Sequence, residues 1–263
     1  MDKALERLRI ALQEAAPGLL AVSGGVDSRF LSHMAWKWNL PYQAVLFRGP
    51  HMTPREISRA GEWLDKHGPG VHVVECSPLD SAQAAANTRE RCYYCKKACF
   101  GRARELANTL GLKSVLDGSN ASDANTFRPG RKALHELGVL SPLAMAGLGK
   151  SDIRRLAREQ GLENPEQPAR ACLMTRFAYG YGPGREELDR LGRLEDALES
   201  MGFADFRIRV PEPGKALLQL SPAGESLWSG NTEAVRSLLS SEGYRDVNVE
   251  ISNMVSGYYD RRQ

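Results

Sequence analysis

Over its first 120 residues the chain alternates short apolar runs with helix-periodic segments, and that order leaves few folds open. Ala4, Leu5, Leu8, Ala11, Leu12 and Ala15 recur at helical spacing, and Pro17-Gly18 ends that helix. Leu19 to Val22 reads as a short buried strand, after which Phe30, Leu31, Met34, Ala35 and Trp38 return to the helical period. Strands follow at 42–47 and 71–74, a helix opens at Thr53-Pro54, and another covers about 90–110. Val115-Leu116 then leads into Asp117-Gly118-Ser119-Asn120. Parallel strands joined by helices need crossover connections, so the prediction is an α/β fold whose parallel sheet carries helices on both faces. Ligands bind such sheets beyond the carboxyl ends of the strands. The turns at 23–28, 48–53 and 117–130 are therefore expected on one rim.

Tyr179-Gly180-Tyr181-Gly182-Pro183-Gly184 has the composition of a linker. It suggests two domains, 1–182 and 183–263. Beyond it the pattern gives a helix at 186–201, strands at 206–210 and 216–220, a helix at about 231–242 and a strand at 246–251. That order makes a smaller C-terminal α+β domain.

A chain of 263 residues buries enough surface to need no disulfide or metal for its core. Its apolar runs are far short of the roughly 20 residues of a membrane span. The charged start Met1-Asp2-Lys3-Ala4-Leu5-Glu6 has no signal-peptide core, so the expected location is the cytoplasm. A net charge of +3 suits anionic ligands but argues against a nucleic-acid partner. The five cysteines, at 76, 92, 95, 99 and 172, are odd in number and unevenly spaced. In this setting they read as thiols, metal ligands or catalysts rather than a disulfide framework.

Chemistry is concentrated in three places. Ser23-Gly24-Gly25-Val26-Asp27-Ser28 joins an apolar strand to a helix, so backbone N–H groups and a helix N-terminus face an anion. No Gly-Lys-Ser/Thr follows, which excludes a Walker loop. Lys150 opens Lys150-Ser151-Asp152-Ile153-Arg154; on its own it reads as a solvated lysine at a helix start, though a lysine suits charge on a phosphate leaving group. Cys172 lies between Arg170 and Arg176, whose charges favour its thiolate.

The loop string resembles the pyrophosphate loop of the PP-loop ATP pyrophosphatases, which cleave ATP to AMP and pyrophosphate while adenylating a substrate. Further along stand Arg91-Cys92-Tyr93-Tyr94-Cys95-Lys96, Asp117-Gly118-Ser119-Asn120, Arg128-Pro129-Gly130 and Ser141-Pro142-Leu143. Lys150-x-x-Ile153-Arg154 and Pro168-Ala169-x-Ala171-Cys172-Leu173-x-x-Arg176 come next, then Glu195, Gly202-Phe203 and Arg207-Ile208-Arg209. As an ordered set these resemble the ATP-dependent sacrificial sulfur transferases, the LarE family of nickel-pincer cofactor synthesis. The likeness covers about residues 15–210 well and the rest loosely.

The resemblance implies an adenylating sulfur transferase that uses ATP and Mg²⁺ on a pyridinium biscarboxylate mononucleotide or a similar small nucleotide-like carboxylate. Ser23, Gly24, Gly25, Val26, Asp27, Ser28 and Lys150 would hold the ATP phosphates, with Cys172 and Lys150 catalytic. Cys172 would give up its sulfur and become dehydroalanine. Arg176, Glu195, Arg207 and Arg209 would face the acceptor, and the protein would be a homo-oligomer. Cys92, Cys95 and Cys172 could instead hold a [4Fe-4S] cluster with one open iron, as in some family members and related tRNA thiolases. Cys99, on the same helical face as Cys95, could compete as a ligand. A tRNA acceptor and a non-catalytic ATP sensor are the other readings.

Four positions depart from the family pattern. Ser122 and Thr126 stand where acids are expected, Gln219 replaces a glutamate and Val255 an arginine.

Overall fold

A four-stranded parallel sheet organises the first half of the chain: Gly18–Ala21 (β1), Tyr42–Arg48 (β2), Val71–Glu75 (β3) and Ser114–Leu116 (β4), in the order β3-β2-β1-β4. Leu140 extends its edge with a parallel bridge to Leu116. The structure is a computed structural model that describes residues 2–68, 70–125 and 128–261. Helices Lys3–Ala15 (α1), Val26–Lys37 (α2), Pro54–His67 (α3), Arg91–Thr109 (α4) and Lys150–Gln160 (α5) accompany the sheet. Two apolar clusters form in this half: one joins Leu8, Leu12, Leu20, Phe30, Leu46 and Leu156, the other Leu19, Val45, Phe100, Ala103 and Val115. Alternate residues of β1 and β2 thus enter different clusters, as a sheet covered on both faces requires.

Local chemistry sets the helix ends. Asp2 caps α1 by accepting from Ala4 N at 2.8 Å. At the start of α5 the Asp152 carboxylate takes the Gly149 N–H at 3.1 Å, and Gly161 stops the helix at φ 81°. In contrast, the N-cap of α2 is Gly25, which supplies no side-chain cap.

The second half holds a mixed sheet, Phe206–Arg209 (β5), Lys215–Leu220 (β6) and Asp246–Ile251 (β7). The β5 strand runs antiparallel to β6 and β7 parallel to it. Helices Arg185–Ser200 (α6) and Glu225–Ser241 (α7) pack Leu188, Leu191, Leu198, Val235 and Leu239 against Ile208 and Leu218. The α7 helix begins six residues before the expected 231, and Asn231 marks its kink with φ −130°.

The chain divides into two compact units, though not at 182/183. Met1–Gly49, Glu56–Cys76 and Cys92–Ala169 form one, and Pro50–Arg55, Ser77–Arg91 and Arg170–Gln263 the other. The glycine-rich stretch is no linker, because backbone pairing ties it into the second unit. Ala178 N donates to Val210 O at 3.2 Å, Gly180 N to Asn87 O at 3.2 Å, and Asn87 Nδ2 to Ala178 O at 3.0 Å. Cys172 consequently belongs to the second unit.

Candidate active site

The β1 strand pairs with β2 on one side and β4 on the other, so the chain reverses its order of strand addition there. That switch point is where an α/β sheet opens a ligand crevice. The loops leaving β1 and β4 meet above it. A side chain at Gly118 would put its Cβ 2.9 Å from Ser28 Cα and N, so only glycine lets the two backbones approach this closely. Asn120 Nδ2 donates to Asp27 Oδ2 at 2.8 Å. Of the three turns expected on one rim, those after β1 and β4 touch in this way, while 50–55 groups with the second unit.

Inside the loop, Ser23 N donates to Ser28 Oγ at 3.2 Å, and Ser28 Oγ donates to Gly25 O at 3.1 Å. Gly24 sits at φ 79°, and its Cβ would meet that of Ala60 at 2.9 Å, so both its conformation and its space demand glycine. Asp117, 5% exposed, accepts from Ser119 Oγ and Ser141 Oγ, each at 2.6 Å, and from Lys96 Nζ at 3.4 Å. Burial raises the Asp27 carboxyl above its ordinary range, against the Asn120 hydrogen bond and the Lys150 charge. Lys150 is the first residue of α5, and its N–H donates to Ser122 Oγ at 3.1 Å. The serine found where an acid was expected therefore anchors the start of the lysine's helix. Asp123, kept from the acidic run, pairs with Arg128 at 2.9 Å. Thr126 lies outside the described residues.

In the second unit, Cys172 is partly buried and precedes a short helical turn, Leu173–Arg176. Its carbonyl accepts from Thr175 N at 2.9 Å and Thr175 Oγ1 at 2.8 Å, and Leu173 N donates to His51 O at 2.8 Å. The arginines flanking it are paired with acids. Arg176 grips Glu195 through Nε at 2.7 Å and Nη2 at 2.9 Å, while Arg170 Nη2 reaches Glu199 at 3.1 Å. Ile208 N also donates to Glu195 at 3.2 Å. Burial acts to raise the Glu195 carboxyl, but the charge and hydrogen bonds of Arg176 and the charge of Arg207 hold it below the usual range.

Arg207 and Arg209 complete the cluster at 1% and 2% exposure. Arg209 donates to Gln219 Oε1 from Nε and Nη2, to Thr175 O from Nη1 at 3.0 Å, and to Val255 O. All these acceptors are neutral. Burial, then the charges of Arg176 and Arg207, push Arg209 down to about 9. Arg207 is pushed to about 10 by burial and Arg176. Among the described residues the four arginines (170, 176, 207 and 209) outnumber the acids they pair with, which are buried Glu195, partly buried Glu199 and the more exposed Asp205. Sequence reasoning brought Arg176, Glu195, Arg207 and Arg209 together as residues facing an acceptor. They do share one cluster, each of the four 2% exposed or less. It missed Arg170's part, which only the proximity of α6 reveals.

The cysteine reading needs correction. Cys76 and Cys99 form a disulfide, with Cα atoms 5.7 Å apart and both residues buried, so Cys99 cannot compete as a metal ligand. Pairing follows from packing α4 beside the end of β3, which the 23-residue separation does not signal. Cys92 and Cys95 belong to the first unit and Cys172 to the second. Among the described residues no three His, Cys, Asp or Glu side chains are grouped to hold a metal. Mg²⁺ asks less, since one or two carboxylates complete a shell supplied mostly by phosphate and water. Asp27 fits that need, with Oδ2 engaged by Asn120. Among the described residues no helix is long and apolar enough to cross a membrane.

Comparison with known proteins adds three likenesses. An uncharacterised protein of Synechocystis is 34% identical over 84% of this chain and 83% of its own length. The pyridinium-3,5-bisthiocarboxylic acid mononucleotide synthase of Lactiplantibacillus plantarum is 30% identical over 94% of this chain and 90% of its own. An NH₃-dependent NAD⁺ synthetase of Mannheimia succiniciproducens is 26% identical over 60% of this chain and 66% of its own. No family model matches the chain.

Proposed function

The chain belongs to the LarE family of sulfur-transferring enzymes, a branch of the PP-loop ATP-utilising proteins, and from that premise we propose that it converts a carboxylate of a pyridinium biscarboxylate mononucleotide, or of a similar small acceptor, into a thiocarboxylate. The observation that carries this reading is the position of Cys172 beside the buried guanidinium cluster. Arg170 and Arg176, two residues before it and four after, are both anchored in a cluster whose surplus positive charge suits an acceptor bearing phosphate and carboxylate.

A carboxylate cannot lose oxygen unaided. Its oxygen attacks the α-phosphorus of ATP, the bond to the β-phosphate oxygen breaks, and pyrophosphate leaves with that electron pair. The Ser23–Ser28 backbone and Lys150 receive the departing charge. Asp27 would hold Mg²⁺ with the phosphates, and the ion would supply further charge neutralisation. The Cys172 thiolate then adds to the acyl carbon and AMP leaves, giving a thioester. Loss of the Cys172 Cα proton and cleavage of its Cβ–Sγ bond leave the sulfur on the acceptor and dehydroalanine in the chain. Each molecule therefore acts once. A cytoplasmic, homo-oligomeric protein with ATP and the mononucleotide as its partners is the accompanying proposal.

Anaerobic incubation with Mg-ATP and the pyridinium biscarboxylate mononucleotide, followed by intact mass measurement, tests this directly. The expected result is loss of the elements of H₂S, mapped to Cys172, together with thiolated product. Product formed on an unchanged protein mass would show that sulfur comes from elsewhere, and no product would show that the acceptor is another molecule.

A further inference from the structure

Arg29, 5% exposed, lies in the first turn of α2 and turns back toward the phosphate loop. Its Nε donates to Gly24 O at 3.1 Å. Its other nitrogens reach far along the chain: Nη1 to Glu163 O at 2.8 Å, and Nη2 to Asn164 O at 3.1 Å and Gln167 Oε1 at 2.8 Å. The guanidinium carbon lies 5.9 Å from the centre of the Trp63 ring. One planar fork thus joins a glycine loop to a turn more than 130 residues away in sequence.

The Gly24 carbonyl and the Gly25 N–H belong to one planar trans peptide and point in opposite directions. Glycine at φ 79° gives that peptide little steric guidance of its own, so without a partner it can swivel. Holding the carbonyl on the Arg29 side directs the Gly25 N–H away from it. That N–H stands at the N-cap of α2, and its contact within the loop is a long one, 3.5 Å to Ser23 Oγ. All four acceptors of Arg29 are neutral oxygens, so its charge is not cancelled by direct contact with an acid.

We propose that Arg29 is a positioning residue for triphosphate binding: it locks the Gly24–Gly25 peptide with its N–H turned to the ligand and braces the loop against the 163–167 turn. The inference rests on reading Ser23–Ser28 as the ATP phosphate loop. A lysine cannot replace it, because its ammonium lacks the flat fork that serves the loop and the turn together. A residue that merely fastened the turn would contribute stability without changing the loop's choice of ligand.

The test is calorimetric titration of the full chain with three probes: α,β-methylene ATP, inorganic pyrophosphate and AMP. Arg29→Gln is expected to weaken the first two about tenfold, the scale of one hydrogen bond made by a charged group, and to leave AMP within twofold. Arg29→Lys should do the same and serves if the glutamine variant does not fold. Gln167→Ala keeps the Gly24 bond, so it should lower Tm while leaving pyrophosphate affinity unchanged. Equal weakening of all three probes, or unchanged pyrophosphate affinity in both Arg29 variants, overturns the proposal and leaves the loop assignment standing. Wild-type protein that binds neither the ATP analogue nor pyrophosphate overturns both.

Discussion

Arg209 places two N–H groups, at 3.3 and 3.2 Å, on the single amide oxygen of Gln219, so a guanidinium 2% exposed rests on a neutral side chain. The Gln219 amide passes the contact on, donating to Glu250 at 2.9 Å. Val255, the other departure near this site, meets the same guanidinium through its backbone carbonyl. Both departures thus meet Arg209 through neutral oxygens. Gln219→Glu would put an acid against Arg209 and lower the cluster's positive charge by one. The variant is expected to bind the mononucleotide about tenfold more weakly, with ATP affinity unchanged. Equal acceptor affinity in calorimetry would remove Gln219 from any role in acceptor choice.

Glu195 meets Arg176 in a bidentate pair, at 0% and 1% exposure respectively. Removing one partner of such a pair strands a buried charge and costs about 3–5 kcal/mol. Glu195→Ala should therefore lower Tm by roughly 10 °C in a chain of this size. Glu195→Gln, which retains an acceptor for Ile208 N, should fall between. Thermal unfolding that ranks the two variants equally would show that packing, not charge, holds this site.

The strand–loop–helix turn at 23–28 was legible because its signals are local: strand, two glycines, an acid and a helix start within a few residues. The parallel sheet follows equally well from alternation, since parallel neighbours need crossover connections. The features the sequence hid depend on partners distant along the chain. Arg29 looks like a surface residue of an amphipathic helix until the 163–167 turn is brought to it. Cys76 and Cys99 pair only because a helix lies beside a strand end. The unit boundary misled for a related reason. Glycine and proline mark irregular backbone, but whether that backbone is loose depends on its hydrogen-bond partners, here Asn87 and Val210.

Burial lowers His51 to about 4, and its Nδ1 is enclosed without a hydrogen-bond partner among the described residues. The unfolded chain takes up this proton near pH 6.5, the folded protein only near 4. Stability from the neutral ring is therefore complete above 6.5 and drains away as pH falls toward 4, by up to about 3 kcal/mol. Glu195 adds a loss in the same direction, but only as pH drops below its ordinary range near 4.5. Denaturant unfolding between pH 7 and 5 should thus show a slope that His51→Gln flattens. A slope unchanged in that variant would assign the acid sensitivity to other groups.

The Cys76–Cys99 bridge encloses the whole 77–91 excursion into the second unit. Closing a loop of this length stabilises by about 3 kcal/mol through the unfolded chain. A Cys76→Ser, Cys99→Ser double variant should therefore melt several degrees lower than the oxidised protein. Dithiol treatment of the wild type should reproduce that shift, and alkylation before and after reduction should reveal two additional thiols. Identical melting of oxidised and reduced protein would mean that the packing around 76 and 99 already holds the excursion.

Gly118 offers the sharpest test of the crevice above β1 and β4. An alanine there would bring its Cβ within 2.9 Å of Ser28 Cα and N, both backbone atoms, so no side-chain rotation relieves the contact. The two loops must separate, at a strain of about 1–3 kcal/mol. Separation would lengthen the Asn120–Asp27 hydrogen bond, now 2.8 Å, and shift the first turn of α2. Gly118→Ala is therefore expected to weaken ATP-analogue binding at least tenfold while lowering Tm only modestly. Gly101, which has nothing within 4 Å of its Cβ position, provides the control, and Gly101→Ala should leave nucleotide affinity unchanged. If Gly118→Ala bound the analogue as well as Gly101→Ala does, the β1 and β4 loops would not form the nucleotide site.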